Sequence, residues 1–204
     1  MKIGIISGSH RQDSQSAKVA RYLSKLLITQ HSDTQPWIHD LGQQPLPMWD
    51  EALFSGVAHW EPLQILKQRC NEADAFIIIA PEWHGMSPAA VKNFFLVLGN
   101  GGELAHKPAL LVSLSALNGG ANAISELRMS SYKNSRICYI PEQLIVRNVG
   151  RVYNEDDSAN HPEEHPYFVE RGAYALSQLR EYAIALRQVR LSGFGDLTAY
   201  PNGM

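Results

Sequence analysis

The sequence predicts an α/β three-layer sandwich, a five-stranded parallel sheet with helices on both faces. Three observations predict it. Short apolar runs alternate with helical patterns along the chain, in the order βαβαβαβαβα. The run Ala75-Phe-Ile-Ile-Ile-Ala80 is apolar at every position, as in a strand covered on both faces. The 204 residues suffice for one sizeable core and hardly for two.

Taken in order, Ile3 to Ser7 is an apolar run halted by Gly8, which reads as the first strand. Ser16 to Leu27 places Val19, Ala20, Leu23, Leu26 and Leu27 at helical spacing. Gln35 to Leu41 is a weak second strand, and Gly42 to Pro47, with two prolines, is a loop. Leu63, Leu66, Cys70 and Ala73 mark a helix before the third strand, Ala75 to Ala80. Pro88 suits a helix's first position, with Ser87 before it as N-cap, and that helix runs to Leu98. Ala109 to Ser115 is a strand, Asn122 to Ser131 a helix and Leu144 to Val149 the last strand. The acidic, Pro-containing stretch Asn154 to Pro166 reads as a loop, and Phe168 to Arg190 as a long final helix. Residues 1–190 make one domain, and 191–204 a tail carrying Phe194 and Tyr200.

Right-handed crossovers leave few windings, and five strands point to the order 2-1-3-4-5. There the chain reverses direction between strands 1 and 3, and the loops leaving those strands part to form a crevice. Chemistry is therefore expected after Ser7 and after Ala80.

Composition narrows the function. The chain is 45% hydrophobic and 19% charged, with a formal net charge of −2, which argues against nucleic acid as a partner. Its two cysteines, Cys70 and Cys138, have no metal-type spacing and read as reduced. The start is quickly polar and no apolar run is long enough to span a membrane, so a cytoplasmic protein is expected.

The first loop runs Ser7-Gly-Ser-His-Arg-Gln-Asp-Ser-Gln-Ser16, placing four hydroxyls and one arginine before a helix. Free N–H groups and the helix dipole favour an anion there, and Arg grips phosphate oxygens two at a time. One cation with several neutral donors suits a terminal monophosphate. Neither G-x-x-x-x-G-K-[ST] nor G-x-G-x-x-G is present, which speaks against a Mg-bound nucleoside triphosphate or a dinucleotide cradle. The competing reading of these Ser and Asp residues is as caps and turn formers.

The second loop reads Pro81-Glu-Trp-His-Gly-Met-Ser-Pro-Ala-Ala-Val-Lys-Asn-Phe94. Together with G-S-x-R…S-x-S after the first strand, and Asp40-Leu41…Pro45-Leu46-Pro47 after the second, it resembles the NADPH-dependent FMN reductase family. That flavodoxin-like group includes quinone, azo-dye and chromate reductases. The resemblance covers Met1 to about Leu127. Trp83 stands where the family usually has Tyr, Ser16 where Asn is common, and Phe94-Phe95 where an acidic-aromatic pair often follows Lys-Asn.

The resemblance implies FMN, with its phosphate on Ser9, Arg11, Ser14 and Ser16 and its ring along Pro81, Glu82, Trp83, His84 and Gly85. The residues support this on their own terms. A flat ring needs an aromatic or apolar wall and backbone N–H groups, and a loop from Pro to Gly presents backbone. Ser115, Asn118, Gly119 and Gly120, leaving strand 4 on the same sheet edge, would form a second wall. The implied reaction is ping-pong. NAD(P)H, either NADPH or NADH, passes a hydride to the flavin, and a small electron acceptor (quinone, flavin, azo dye or metal oxyanion) then collects the electrons. No catalytic side chain is assigned, although His84 is a candidate proton donor. A homodimer or homotetramer is expected, with the apolar helix Pro88 to Leu98 buried in the core or against a partner.

Other readings rank lower. Gly85-Met-Ser-Pro-Ala89 approximates a nucleophile elbow, but Ser87 lies seven residues past the strand. His161, Glu163, Glu164 and His165 are metal-ligand types in a loop without a framework. A phospho-acceptor switch lacks its Asp at the end of strand 3. A flavodoxin-type electron carrier would be more acidic, and a flavin-binding protein without turnover is the remaining alternative.

Overall fold

A computed structural model describes residues 1–55, 60–193 and 196–203. Its strands are β1 (Lys2–Ser7), β2 (Gln35–Asp40), β3 (Ala75–Pro81), β4 (Pro108–Leu114) and β5 (Cys138–Val146). The helices are α1 (Gln15–Gln30), α2 (Glu61–Glu72), α3 (Ala89–Val97), α4 (Ala121–Met129) and α5 (Glu164–Leu191). All neighbouring strands pair in parallel, in the order β2-β1-β3-β4-β5.

Two apolar clusters sandwich the sheet. On one face Ile3, Ile5, Ile77, Ile79 and Val112 meet Val19, Leu23 and Leu27 of α1 and Leu176 and Leu179 of α5. On the other, Ile6, Phe76, Ile78 and Leu111 meet Leu66 of α2, Phe94 of α3 and Ile124 of α4. Residues Ile77, Ile78 and Ile79 point alternately to the two clusters, which is why β3 has no polar face.

Ser7 pairs with both Asp40 and Ile79, and Pro81 with Leu114, so the carboxyl ends of β2, β1, β3 and β4 lie side by side. The Gly8 N–H donates to the Ile79 carbonyl at 2.9 Å. A Cβ at Gly8 would come within 2.3 Å of both that oxygen and Val91 Cγ2. Glycine is therefore required for β1 to leave the sheet so close to β3.

The structure corrects several element boundaries. β5 begins at Cys138, six residues before the expected Leu144, and ends at Val146. Pro141, Glu142 and Gln143 interrupt its apolar pattern, and the register against β4 shifts between Ala109 and Leu111. Residues Val149–Arg151 form a 3₁₀ turn instead of the strand's end. Glu164 to Pro166, expected in the loop, are the first turn of α5. Pro166 fits there because a first-turn residue has no intrahelical N–H bond to lose. The N-cap of α3 is Pro88, not Ser87. The Ser87 hydroxyl is buried without a hydrogen-bond partner. In α3, Val91, Phe94, Phe95 and Val97 are buried in the core, while Lys92 and Leu96 are exposed.

Asp196 to Gly203 of the tail returns to the loop before β5. Arg136 donates to the Tyr200 and Pro201 carbonyls, and the Gly203 N–H to Asn134 Oδ1. Phe194 lies outside the described residues.

Candidate functional site

The crevice at the switch point is built from three strand exits. After β1, Ser9 is buried and its hydroxyl accepts the Arg11 N–H at 3.2 Å, while the Arg11 side chain is exposed. Ser14, with extended backbone (φ −78°, ψ 152°), is the N-cap of α1 and accepts the Ala17 N–H at 3.1 Å. Ser16 is 1% exposed, and its hydroxyl has no partner. A buried orphan hydroxyl is costly, and this one sits in the first turn of a helix whose free N–H groups favour an anion. The loop is backed by the β2 exit, where a Cβ at Gly42 would lie 2.4 Å from the Arg11 carbonyl. Asp40 fixes that exit by accepting the Ser7 hydroxyl and the Gly42 N–H at 3.0 and 3.1 Å.

After β3, Trp83 and Met86 exchange two backbone hydrogen bonds of 3.0 and 2.9 Å around His84 and Gly85. Both central residues have positive φ, 50° and 74°. This two-residue loop has the type I′ pattern, which needs left-handed backbone at both positions. Its tip is exposed backbone, and His10 stands edge-on to Trp83 with ring centroids 4.6 Å apart. Glu82 directs its carboxylate to the start of α4. Its Oε2 accepts the N–H groups of Asn122 and Ala123 at 2.8 and 3.3 Å, capping α4.

After β4, the Ser115 hydroxyl accepts the Leu117 and Gly119 N–H groups, so the Gly119 donor is used internally. Asn118 is exposed. Gly120 has φ 111° and is the N-cap of α4, and a Cβ there would lie 2.5 Å from Ile145 Cγ2.

Of the sequence-predicted residues, Arg11, Glu82, Trp83 and His84, together with His10, line an open cavity of about 490 Å³. Ser9, Ser14 and Ser16 lie behind Arg11 on the same loop and helix start. Pro81 is buried as the last residue of β3, Gly85 is exposed in the turn, and Gly119 of the Ser115–Gly120 group lies against Glu82, a Cβ there falling 2.7 Å from Oε1. His10 and Asn93 were missed. Asn93 accepts the Trp49 N–H and donates to the Pro47 carbonyl, both at 2.8 Å, holding the Pro-rich loop on α3. The Lys-Asn step was visible in the motif, but its partners 44 and 46 residues away were not.

A larger cavity, about 560 Å³, lies at the opposite sheet edge between Lys107, Arg190 and the tail. The Lys107 ammonium there is committed to the Cys70 and Asn71 carbonyls at the end of α2, at 2.6 and 2.8 Å. Among the described residues no group of three or more His, Cys, Asp or Glu could hold a metal ion. His165 instead accepts the Tyr153 N–H at Nδ1 and faces the Tyr22 hydroxyl at Nε2. No helix among the described residues is long and apolar enough to cross a membrane.

Residues 1–150 match the family model described as NADPH-dependent FMN reductase. An NADPH azoreductase of a Bacillus species is 27% identical over 150 residues, covering 72% of this chain and 76% of that protein. An FMN-dependent NADPH-azoreductase of Staphylococcus aureus is 29% identical over 163 residues, covering 78% and 83%. Among solved structures, a flavoenzyme NAD(P)H:(acceptor) oxidoreductase from Paracoccus denitrificans superposes with a TM-score of 0.62 at 20% identity, covering 92% and 97%. At that identity the likeness shows the shared fold.

Proposed function

The chain belongs to the NADPH-dependent FMN reductase family, and from that premise we propose that it is an FMN-dependent NAD(P)H oxidoreductase working by a ping-pong mechanism. In this reading the acceptor is a small flat molecule, an azo compound or a quinone, taken up where the nicotinamide has left. The azoreductase relatives support the first class of acceptor.

The single observation that carries the reading is Ser16, a buried hydroxyl without a partner in the first turn of α1. Together with Ser9, Ser14 and the Arg11 guanidinium it fits the phosphate of FMN. When bound, FMN supplies the two-electron chemistry. The chain's own residues bind and orient. The N-terminus of α1 holds the phosphate, Trp83 offers a flat face, and the His84–Gly85 turn brings backbone close. Glu82 is spent on α4 and so sets no free carboxylate against the ring. Hydride transfer itself needs no protein acid or base, and His84, on the cavity wall, is the candidate proton donor to the reduced acceptor.

A second copy of the chain fits this reading as partner, in a homodimer or homotetramer. The support is exposed Trp49 and Leu96, which with Phe95 and Leu127 line a cavity of about 520 Å³.

The test is optical. The protein is expected to purify yellow or take up FMN, and anaerobic NADPH to bleach it. Flavin that NADPH cannot reduce would point to a one-electron carrier, and a protein unable to bind FMN would end the proposal. Arg11→Ala is expected to weaken FMN binding about tenfold, the exposed end of the range for a charge-assisted bond. Unchanged affinity would remove the phosphate assignment.

A further inference from the structure

The Trp83–Met86 turn is held from both ends by one helix. On the upstream side, the Glu82 carboxylate caps α4 through the N–H groups of Asn122 and Ala123. Beneath the tip, a Cβ at Gly85 would meet Asn122 Nδ2 at 3.3 Å. On the downstream side, the Ser87 N–H donates to Glu126 Oε2 at 2.7 Å, while Oε1 pairs with Lys92 of α3 at 2.5 Å. Asn122 and Glu126 are four residues apart and so share one face of α4. Burial raises the Glu126 carboxyl's proton affinity, but Lys92 and the Ser87 N–H outweigh it and hold the pKa below its ordinary value.

We propose that Glu126 is a positioning residue for the flavin wall, acting through the Ser87 N–H to fix the His84–Gly85 turn. The assignment rests on the reading of that turn as the FMN site. Ser87 is 2% exposed, so its N–H has no solvent to fall back on if the carboxylate goes. It directly follows Met86, whose N–H and C=O close the turn. Reorientation of residues 86–88 to satisfy the orphan donor would open that pair. The Lys92–Glu126 bridge is half exposed on the lysine side and contributes little by itself. The useful part of Glu126 is therefore its reach to Ser87.

Four variants separate positioning from plain stability. Glu126→Ala removes the acceptor. Glu126→Asp keeps the charge but shortens the reach. Glu126→Gln keeps an acceptor oxygen without the charge, and Lys92→Met removes only the ion pair. FMN affinity is read by flavin-fluorescence titration, melting temperature by circular dichroism, and protection of the Trp83 and Met86 amides by hydrogen exchange on the flavin-free protein. Ala and Asp are expected to weaken FMN binding about tenfold and to lose amide protection. Gln and Lys92→Met are expected to stay within about threefold of the parent, whatever their melting temperatures. Should Glu126→Ala fail to fold, Glu126→Asp carries the test.

The assignment is overturned if Ala and Asp bind FMN as tightly as the parent, or if affinity simply tracks melting temperature across the four. A parent protein that binds no FMN overturns the functional reading, and this assignment with it. A parent that binds FMN alongside unaffected Ala and Asp variants overturns this assignment alone.

Discussion

Gly8→Ala is the perturbation whose cost can be worked most directly from the structure. The new methyl would sit 2.3 Å from the Ile79 carbonyl oxygen, about 1.1 Å short of the 3.4 Å at which ordinary contact begins. It would sit equally close to Val91 Cγ2. The valine methyl can yield by a rotamer change at modest cost. The carbonyl cannot, because it belongs to the central strand, buried on both faces. The β1 exit must therefore move away from β3, stretching the 2.9 Å bond from the Gly8 N–H to that same oxygen. Overpacking of this kind costs about 1–3 kcal/mol, and loss of the hydrogen bond about 1 kcal/mol more. The sum of about 2–4 kcal/mol corresponds to roughly 5–15 °C in Tm for a chain of this size. The assay is thermal unfolding of the flavin-free protein, with Gly150→Ala as control, since a Cβ at Gly150 meets nothing within 4 Å. The control is expected to stay within about 1 °C. If Gly8→Ala did the same, the close approach of β1 to β3 would not be what demands glycine, and the argument would fail.

Two further outcomes follow from other parts of the molecule. His39 is 7% exposed, and burial, reinforced by the Arg69 charge, holds its pKa below the ordinary 6.5. The unfolded chain then binds a proton that the native state refuses, so stability is expected to fall as pH drops below about 7 towards the depressed value, with a slope of up to about 1.4 kcal/mol per pH unit. His39→Gln should flatten that part of a chemical-denaturation profile, and an unchanged slope would assign the effect elsewhere. Asn93→Ala removes both anchors of the Pro-rich loop and leaves the Trp49 N–H and the Pro47 carbonyl without that partner. It is expected to cost about 2 kcal/mol and to expose residues 45–50 to limited proteolysis, whereas a digestion pattern like the parent's would refute the tether.

The fold was legible because its strongest signal was local. Ala75 to Ala80 could hardly be anything but a strand covered on both faces, and the alternation of helix and strand patterns around it fixed the winding. β5 was misplaced because an edge strand needs less. Pro141 interrupts it at no cost to a central ladder, and Arg128 of α4 donates to the Ile140 and Pro141 carbonyls. The start of α5 was hidden by a polar first turn, where Glu164 and Pro166 look like loop residues. The hydroxyls and arginine after β1 stood out in the sequence because those residues are contiguous. The role of Glu82 was not, because its partners lie 40 and 41 residues further on. His84 gave no hairpin signal either, since only one residue on each side of the turn pairs.

The pairing of β1 with both β2 and β3 predicts an order of folding events. β1 and β2 are separated by one helix and can associate early, whereas β3 is some seventy residues downstream of its partner β1. Closing that distance is slow relative to local structure. Until β3 arrives, the Gly8 N–H has no Ile79 carbonyl to bind, and the loop it anchors has no fixed wall opposite. During synthesis the first sixty residues therefore emerge with only one of the two loops proposed to hold the flavin. On the proposed reading, competence to capture the FMN phosphate is expected only once the third strand docks. In refolding experiments flavin uptake should lag helix formation, and the strand Ala75–Pro81, apolar on both sides, is the segment most exposed to aggregation in the interval.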